Sequence, residues 1–284
     1  MFAAAAAVQR SAAAAVLALV SFAAVGIALK PTWLVRRRSA RPPVAGTRFR
    51  ILTLNLGGNA AAPEVAKVER TVATVDADIV ALQELTPETL ARLRDSLADR
   101  YAYCNGGWPA IVFSRLPIRA GAPLRFPTRG SDAQRVEIDI AGGTLVLFNV
   151  HITRPGHELH GRLAPLRLLL DYDPTTRDMH TDLVYAQAGR ALGACVVVGD
   201  LNATEWSYPH RLLSTTLVDA FRDAARGWGN TYRLALWVGR WRLHLPVARI
   251  DYVFHSRDLV TLEAGVGPDS GSDHLPVVAD LAFR

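Results

Sequence analysis

The sequence is poor in cysteine, and its two cysteines, Cys104 and Cys195, lie far apart and outside any C-x-x-C pattern. A disulfide framework and a structural zinc site both need sets of suitably spaced cysteines, so the sequence predicts neither. Cys195 lies within an apolar run and is expected to be a small buried hydrophobic residue. Compositional signs of disorder are also missing, and the 284 residues suffice for one large α/β domain.

Acidic residues are absent from the first 50 positions, which hold eight lysines and arginines. The formal net charge of +6 would by itself suggest a protein that binds nucleic acid. From totals of 32 basic and 26 acidic residues, however, 24 basic and all 26 acidic residues follow position 50. The body of the chain is therefore close to neutral, and its charge gives no argument for nucleic acid.

The N-terminal segment combines an uncharged run with a basic cluster. Nineteen uncharged residues separate Arg10 from Lys30, and as a helix they would span roughly 28 Å, close to the thickness of a bilayer core. We expect residues 1–30 to form a membrane anchor of one apolar helix or, alternatively, a secretory signal that is cleaved. Residues 31–47 are expected to be a basic, proline-containing linker. The positive-inside rule favours a cytoplasmic body, but a signal-anchor can defy it, so the side of the membrane stays open.

From residue 48 onward, short apolar runs alternate with turn signals and helical patterns. Strands are predicted at residues 49–55, 78–84, 110–114, 135–140, 144–151, 195–198, 250–255 and 275–281. Helices are predicted at about residues 63–75, 87–97 and 181–192, the last with Thr181 as its N-cap. Residues 141–143 predict a tight hairpin turn. Strands joined by both hairpins and helices favour a mixed sheet, or two sheets with helices outside.

The predicted strands end repeatedly in acidic, amide or imidazole side chains. They are Asn55, Gln83, Glu84, His151, Asp200, Asn202, Asp251, Asp273 and His274. A site built from such ends suits phosphoester hydrolysis, because a divalent cation can neutralise the phosphate while a carboxylate or imidazole deprotonates water. Hard oxygen ligands favour Mg²⁺ or Mn²⁺. Taken singly, Asp251 could be a surface ion-pair partner, His151 a satisfied strand-end histidine, and Asn55 and Asn202 turn residues.

Seven ordered motifs in this sequence resemble those of the endonuclease/exonuclease/phosphatase superfamily. They are Leu52-Thr53-Leu54-Asn55, Leu82-Gln83-Glu84, Ile111-Val112-Phe113-Ser114-Arg115, Asn149-Val150-His151, Gly199-Asp200-Leu201-Asn202, Arg249-Ile250-Asp251-Tyr252 and Ser272-Asp273-His274. The resemblance runs from about residue 48 to 284, which would be the catalytic domain. It implies a deoxyribonuclease-like α/β fold of four layers, in which two mixed β-sheets pack face to face and helices flank them.

The resemblance also implies which residues bind the metal. Glu84 would be the principal ligand of Mg²⁺ or Mn²⁺, and Asn55 and Asp273 would complete the shell of metal and water.

Five further residues take catalytic roles by the same resemblance. His274 would act with Asp251 as an oriented pair, and Asp200 would position or deprotonate the attacking water. Asn202 and His151 would hold the phosphate in the transition state. Whether Asp200 or His274 is the general base stays open.

A small bacterial membrane-associated branch of this superfamily is similar in three further features. They are the run Asp200-Leu201-Asn202-Ala203-Thr204-Glu205-Trp206-Ser207, the run Asp273-His274-Leu275-Pro276-Val277 and the N-terminal apolar segment. The expected activity is metal-dependent hydrolysis of phosphoesters, above all phosphodiesters, with nucleic acid or a phospholipid or its head group as substrate. The alternative is a catalytically inactive, membrane-tethered binding module of the same fold.

The region before Asp251 alternates aromatic and basic residues between Trp228 and Arg242. We expect a hydrophobic strand or hairpin that shields the sheet. A loop that contacts substrate or a membrane interface is a second interpretation, and a surface that stacks on nucleic-acid bases is a third.

Overall fold

The computed structural model describes residues 46–58, 64–141, 143–155, 173–225, 227–238 and 241–284. The predicted N-terminal helix, and all but the last two residues of the predicted linker, lie outside these residues. Among the described residues, no helix is long and apolar enough to cross a membrane.

Fourteen strands and five helices are assigned within the described residues. In chain order they are β1 (Arg48–Asn55), α1 (Val65–Val75), β2 (Ile79–Gln83), α2 (Pro87–Leu97), β3 (Tyr103–Gly106), β4 (Ile111–Ser114), β5 (Ile118–Leu124), β6 (Asp132–Ile140), β7 (Gly143–His151), α3 (Thr175–Ala188), β8 (Ala194–Asp200), α4 (Tyr208–Leu213), β9 (Val218–Asp219), α5 (Ala220–Ala224), β10 (Tyr232–Val238), β11 (Trp241–Ala248), β12 (Asp251–His255), β13 (Leu259–Val266) and β14 (Val277–Phe283).

Two six-stranded sheets and one two-stranded sheet contain these strands. The first sheet has the order β13-β14-β1-β2-β4-β3, and the second has the order β5-β6-β7-β8-β12-β9. Each is mixed, because β1 pairs with β2 in parallel but with β14 antiparallel, and β7 pairs with β8 in parallel but with β6 antiparallel. Strands β10 and β11 pair only with each other along their length.

The central core lies between the two large sheets. It joins residues of the first sheet, such as Ile51 and Val112, to residues of the second, such as Leu147 and Val196. The opposite face of the first sheet packs on α1 and α2, whose apolar residues recur at helical spacing. The opposite face of the second sheet packs on α3 and α4. The predicted arrangement of two sheets between helices is confirmed.

The two parallel pairs bring the polar strand ends together. In the first sheet, β1 and β2 end side by side at Asn55 and Gln83. In the second, His151 is in register with Asp200 where β7 and β8 end. Because the sheets pack face to face, both sets of strand ends can line one cleft.

Two local expectations need correction. The third predicted helix begins at Thr175 rather than Thr181, directly after Pro174. Thr181 is buried inside this helix, and its hydroxyl donates to the carbonyl oxygen of Arg177 over 2.9 Å. The region around Trp237 does form a hairpin, but it does not simply shield the sheet, because Leu245 remains 45% exposed.

Candidate active site

Asn55 connects the ends of the two sheets. Its side-chain amide nitrogen donates to Glu84 Oε1 over 2.8 Å and to Asp200 Oδ2 over 3.0 Å. Its carbonyl oxygen Oδ1 accepts from the backbone of Gly57 over 2.8 Å, which fixes the orientation of the amide. Asn55 is fully buried, so it holds two carboxylates of different sheets at a fixed separation.

Glu84 follows β2 directly, in a left-handed conformation with a φ of 53°. Its Oε1 lies 3.1 Å from His151 Nε2. Burial raises the pKa of Glu84, but the hydrogen bonds from His151 and Asn55 and the nearby positive charge outweigh burial and lower it to about 2. The carboxylate is therefore ionised at neutral pH, which is the form that binds a cation.

His151 faces Glu84 from the second sheet. Burial lowers the pKa of its imidazole, whereas the bond to Glu84 and the charge of Asp200 raise it, and the net shift is upward. Arg154 adds a second positive charge near Glu84 from an exposed position. The site thus presents cationic groups beside its carboxylates.

Asp200 is buried at the end of β8. Its Oδ1 accepts from the backbone nitrogen of Asn202 over 2.7 Å, and its Oδ2 accepts from the Asn202 side chain over 3.2 Å. Asn202 has a φ of 45°, which its short polar side chain tolerates, so it also serves as a turn residue. Burial and the charge of Asp251 raise the pKa of Asp200 above its ordinary value.

Asp251 and His274 form a buried pair beside Asp200. The Nδ1–H of His274 donates to Asp251 Oδ2 over 2.8 Å, and its Nε2 lies 3.9 Å from Asp200 Oδ2. Burial lowers the pKa of His274, but the negative charge of Asp251 and its hydrogen bond raise it well above its ordinary value. Asp251 is 1% exposed, so the interpretation as a surface ion-pair partner is wrong.

Two groups of ligand atoms are close enough to bind a metal. Ligand atoms of Glu84, His151 and Asp200 lie within 4.8 Å of one another, and so do those of Asp200, Asp251 and His274. Their oxygen donors fit a hard divalent cation. A side chain at Gly58 would bring its Cβ within 3.3 Å of Glu84 Oε2, so the glycine keeps the space at that oxygen open.

Asp273 is the one predicted acidic ligand that belongs to neither group. It is half-buried, and its carboxyl Oδ1 lies 3.4 Å from the hydroxyl of Ser272. Its backbone oxygen accepts from Arg233 over 2.8 Å.

Sequence reasoning missed three residues that support the site. The Ser272 hydroxyl donates to the backbone oxygen of Asn55 over 2.7 Å and accepts from the His274 backbone over 3.0 Å. The buried Thr231 hydroxyl accepts from the backbone nitrogen of Asp251 over 3.2 Å. The Tyr232 ring contacts the His274 ring edge-on, with centroids 5.4 Å apart. Ser272 stood in a recognised motif without a role, and Tyr232 lay in the stretch of aromatic and basic residues before Asp251, whereas Thr231 carried no signal.

Gln83 lies behind the site rather than in it. Its side-chain nitrogen donates to Asn149 Oδ1 over 2.6 Å and to Thr53 Oγ1 over 2.9 Å. Asn149 in turn donates to the backbone oxygen of Leu82 over 3.2 Å. This buried amide pair joins β2 to β7 and so fixes the spacing of the strand ends that carry Glu84 and His151.

The family model of the endonuclease/exonuclease/phosphatase family matches residues 52–274. This chain belongs to that family. The matched range contains every predicted site residue, and the resemblance expected from the seven motifs is confirmed. No protein in the curated set matches the chain.

Solved structures share the fold of this family member. An endonuclease/exonuclease/phosphatase from Beutenbergia cavernae is 21% identical with a TM-score of 0.61, over 83% of this chain and 72% of that chain. One from Bacteroides vulgatus is 18% identical with a TM-score of 0.65, over 84% and 100%. D. rerio TDP2, in complex with a single-strand DNA product, is 14% identical with a TM-score of 0.62, over 84% and 100%. The four-layer fold predicted from the motifs is therefore confirmed.

Proposed function

We propose that this chain hydrolyses phosphoester bonds, and above all phosphodiester bonds, with Mg²⁺ as its cation and Mn²⁺ as a substitute. The main observation behind the proposal is that Asp200 belongs to both groups of ligand atoms. One group offers an ionised carboxylate, Glu84, and the other offers an imidazole oriented by Asp251. Metal binding and proton transfer can then take place side by side at one phosphate.

Glu84 is the carboxylate that would hold the cation, with Asn55 fixing its separation from Asp200. Bound Mg²⁺ supplies charge neutralisation and polarisation of the phosphoryl oxygens. We keep Asp273 as a residue that would help complete the shell of metal and water, although its carboxyl lies outside the two groups. The Glu84 side chain needs no further proton loss to bind, because its pKa is already about 2.

Asp200 is our candidate for the group that positions and deprotonates the attacking water. The bond from His274 Nδ1 to Asp251 keeps the ring charged, and a charged ring cannot accept a proton. His274 is then suited to contact a phosphoryl oxygen or to protonate the leaving group through Nε2. Its Nε2 lies 3.9 Å from Asp200 Oδ2, so both groups can reach one substrate.

The remaining polar groups suit the phosphate itself. His151 can donate to a phosphoryl oxygen from beside Glu84, and the Asn202 amide lies next to Asp200. Arg154 is exposed nearby and can attract an anionic substrate. These donors would stabilise the charge that develops in the transition state.

The substrate is either nucleic acid or a phospholipid or its head group. A DNA-bound relative of the same fold, D. rerio TDP2, supports the first class. The uncharged run between Arg10 and Lys30 supports the second, because a membrane tether would bring the site to lipid. We propose that residues 1–30 anchor the protein to a membrane.

A substrate panel tests the proposed function. The full chain is incubated with bis(4-nitrophenyl) phosphate, single-stranded DNA, duplex DNA and phospholipid vesicles, with Mg²⁺, with Mn²⁺ or with chelator. We expect turnover of at least one phosphodiester that chelator abolishes and that Glu84→Gln reduces by two or more orders of magnitude. The matched control is Glu137→Gln, a carboxylate on β6 paired with Arg135. Absence of turnover, together with absence of Mg²⁺ binding by calorimetry, would favour the inactive binding module.

A further inference from the structure

The β10–β11 hairpin carries an apolar face that the rest of the described chain leaves open. Leu234 pairs directly with Leu245, and paired residues point to the same face of an antiparallel ladder. Leu243 lies two residues from Leu245 and therefore shares this face. Leu234, Leu245 and Leu243 are 43%, 45% and 46% exposed. Large aliphatic groups rarely cluster in water at this exposure without a partner.

The same face leads to the candidate active site. Tyr232 and Leu234 are two residues apart in β10, and the β10–β11 ladder has a bulge between Tyr232 and Arg233. The Tyr232 ring contacts His274, with centroids 5.4 Å apart. The apolar face thus begins two residues along β10 from Tyr232, which contacts the residue that we place at the phosphate.

The base of the hairpin is fixed to the domain. The backbone nitrogen of Arg233 donates to Asp273 over 2.8 Å, and its guanidinium donates to Asp269 over 2.8 Å and to the backbone of Ser272. The backbone oxygen of Thr231 accepts from the backbone nitrogen of Leu275 over 2.8 Å. An object bound by the leucines would therefore be held in a defined position relative to His274.

The chemistry of this face selects among its potential occupants. Nucleic acid is bound by cationic side chains and by aromatic rings that stack on bases, whereas Leu234, Leu243 and Leu245 are aliphatic. A lipid surface, by contrast, is bound by exposed aliphatic groups that enter its apolar layer. The proposed anchor at residues 1–30 would place lipid within reach, since the 16 residues from Lys30 to Ala45 extend at most roughly 55 Å.

We propose that the exposed apolar face of the β10–β11 hairpin docks the domain on a phospholipid surface, with His274 directed to the head-group layer. Leu234, Leu243 and Leu245 enter the apolar side of the interface, and Tyr232 lies between them and the site. Docking does not require turnover, so it stands or falls separately from the proposed hydrolysis.

A fluorescent label tests the docking without any reaction. The full chain carrying Cys104→Ser and Leu245→Cys is labelled with an environment-sensitive dye at position 245, since Cys195 is buried. The matched control carries the dye at position 192 through Leu192→Cys, at a leucine that is 90% exposed. Both proteins are mixed with phosphatidylcholine–phosphatidylserine vesicles. We expect a blue shift, and quenching by nitroxide-labelled lipid, at position 245 but not at position 192.

Three results would overturn the proposal. One is the absence of a blue shift and of lipid quenching for the dye at position 245 when the protein is bound to vesicles. Another is a blue shift without vesicles that grows with protein concentration, which would assign the face to a second copy of this chain. The third is an equal blue shift when single-stranded DNA replaces the vesicles, which would assign the face to nucleic acid.

A charge substitution gives an independent measurement on the same labelled full chain. Leu234→Asp with Leu243→Asp places two charges beside the dye at position 245, and we expect the blue shift of the dye on vesicle-bound protein to be lost. Leu192→Asp in the same labelled chain is the control and should leave the blue shift unchanged. A melting curve checks that each variant folds, and an unchanged blue shift of the folded charged variant would contradict the docking.

Discussion

Asp251 lies directly opposite Asp200 in the antiparallel ladder of β12 and β8. Both carboxylates are 1% exposed, and two adjacent buried negative charges would repel each other strongly. His274 resolves the conflict, because its ring donates to Asp251 over 2.8 Å and directs Nε2 toward Asp200 at 3.9 Å. The three residues therefore behave as one electrostatically coupled unit, and a change to any one alters the protonation of the others.

Asp251→Asn is expected to lower kcat by about 100-fold or more, because the amide no longer stabilises the charged ring of His274. The pKa of His274, which Asp251 raises, should fall toward its ordinary value. A step that needs charged His274 then fails at lower pH, so the alkaline limb of the pH–rate profile should move to lower pH. Initial rates on bis(4-nitrophenyl) phosphate at saturating Mg²⁺ measure both effects.

Asp139→Asn is the matched control for this variant, since Asp139 is an ion-pair partner of Arg119 on the surface of the second sheet. It should leave both kcat and the profile unchanged. An Asp251→Asn profile with its alkaline limb in the original place would show that this limb does not report the charged form of His274.

Glu84→Gln should weaken metal binding, because it replaces the ionised carboxylate of the site with a neutral amide. We expect the dissociation constant for Mn²⁺, measured by the amplitude of its free electron paramagnetic resonance signal, to rise at least about tenfold. Glu84 is ionised down to pH values near 2, so the unmodified protein should keep its metal affinity through mildly acidic buffers if Glu84 dominates binding. Glu137→Gln, with the same chemical change on β6, should bind as the unmodified chain does. If Glu84→Gln binds Mn²⁺ as tightly as the unmodified chain does, Glu84 is not a metal ligand.

Local chemistry allowed the strand ends to be predicted. A run such as that ending at Asp200 is apolar throughout and stops at a charged residue, so both its burial and its end follow from the sequence. The motifs then predicted that these strand ends form one site, and in the structure Asn55 contacts both Glu84 and Asp200. The helix start at Thr175 was missed because Thr181 has the chemistry of a cap although it lies inside the helix.

Long-range packing could not be predicted in the same way. Thr231 supports Asp251 from another strand, and one hydroxyl in a sequence carries no mark of such a contact. The exposure of Leu245 also follows from tertiary structure, since the same alternation would suit a covered strand. These leucines are exposed to solvent because β10 and β11 form a separate two-stranded sheet.

Gly199→Ala should unfold or strongly destabilise the domain. Gly199 has a φ of 127°, which other residues rarely adopt, and a Cβ there would overlap the carbonyl oxygen of Val150 in the paired strand. The clash is with backbone at the centre of a sheet, so no side-chain movement relieves it. We expect a loss of at least about 3 kcal/mol of unfolding free energy, measured by urea denaturation.

Gly143→Ala is the control for this variant, because a Cβ at Gly143 would meet no atom within 4 Å although its φ is also positive. It separates the cost of the backbone conformation from the cost of the clash, so we expect it to lose much less stability than Gly199→Ala. Equal stability of the two variants would contradict this account.

Asp219→Asn tests the buried charges on the far side of the second sheet. Asp219 Oδ2 lies 2.7 Å from Arg249 and 2.8 Å from His210, and the Arg249 guanidinium also stacks over the Tyr252 ring at 4.6 Å. Burial raises the pKa of Asp219, but His210 and Arg249 lower it by more, to well below its ordinary value near 4. The amide keeps Oδ1 as the cap of α5 yet leaves the Arg249 charge less compensated, so we expect a loss of about 3 kcal/mol at neutral pH.

The pH dependence of that loss tests whether Asp219 is ionised in the folded domain. A carboxyl whose pKa is depressed in the folded state stabilises it above the unfolded pKa and loses this effect as pH falls toward the folded value. The difference in unfolding free energy between the unmodified chain and Asp219→Asn should therefore be constant above about pH 5 and shrink below about pH 4. Urea denaturation across that range measures it, with Asp139→Asn as the surface control. A difference that grows as the pH falls would show that Asp219 is protonated in the folded domain, and Arg249 would then depend on Glu205, 3.1 Å away, for its neutralising charge.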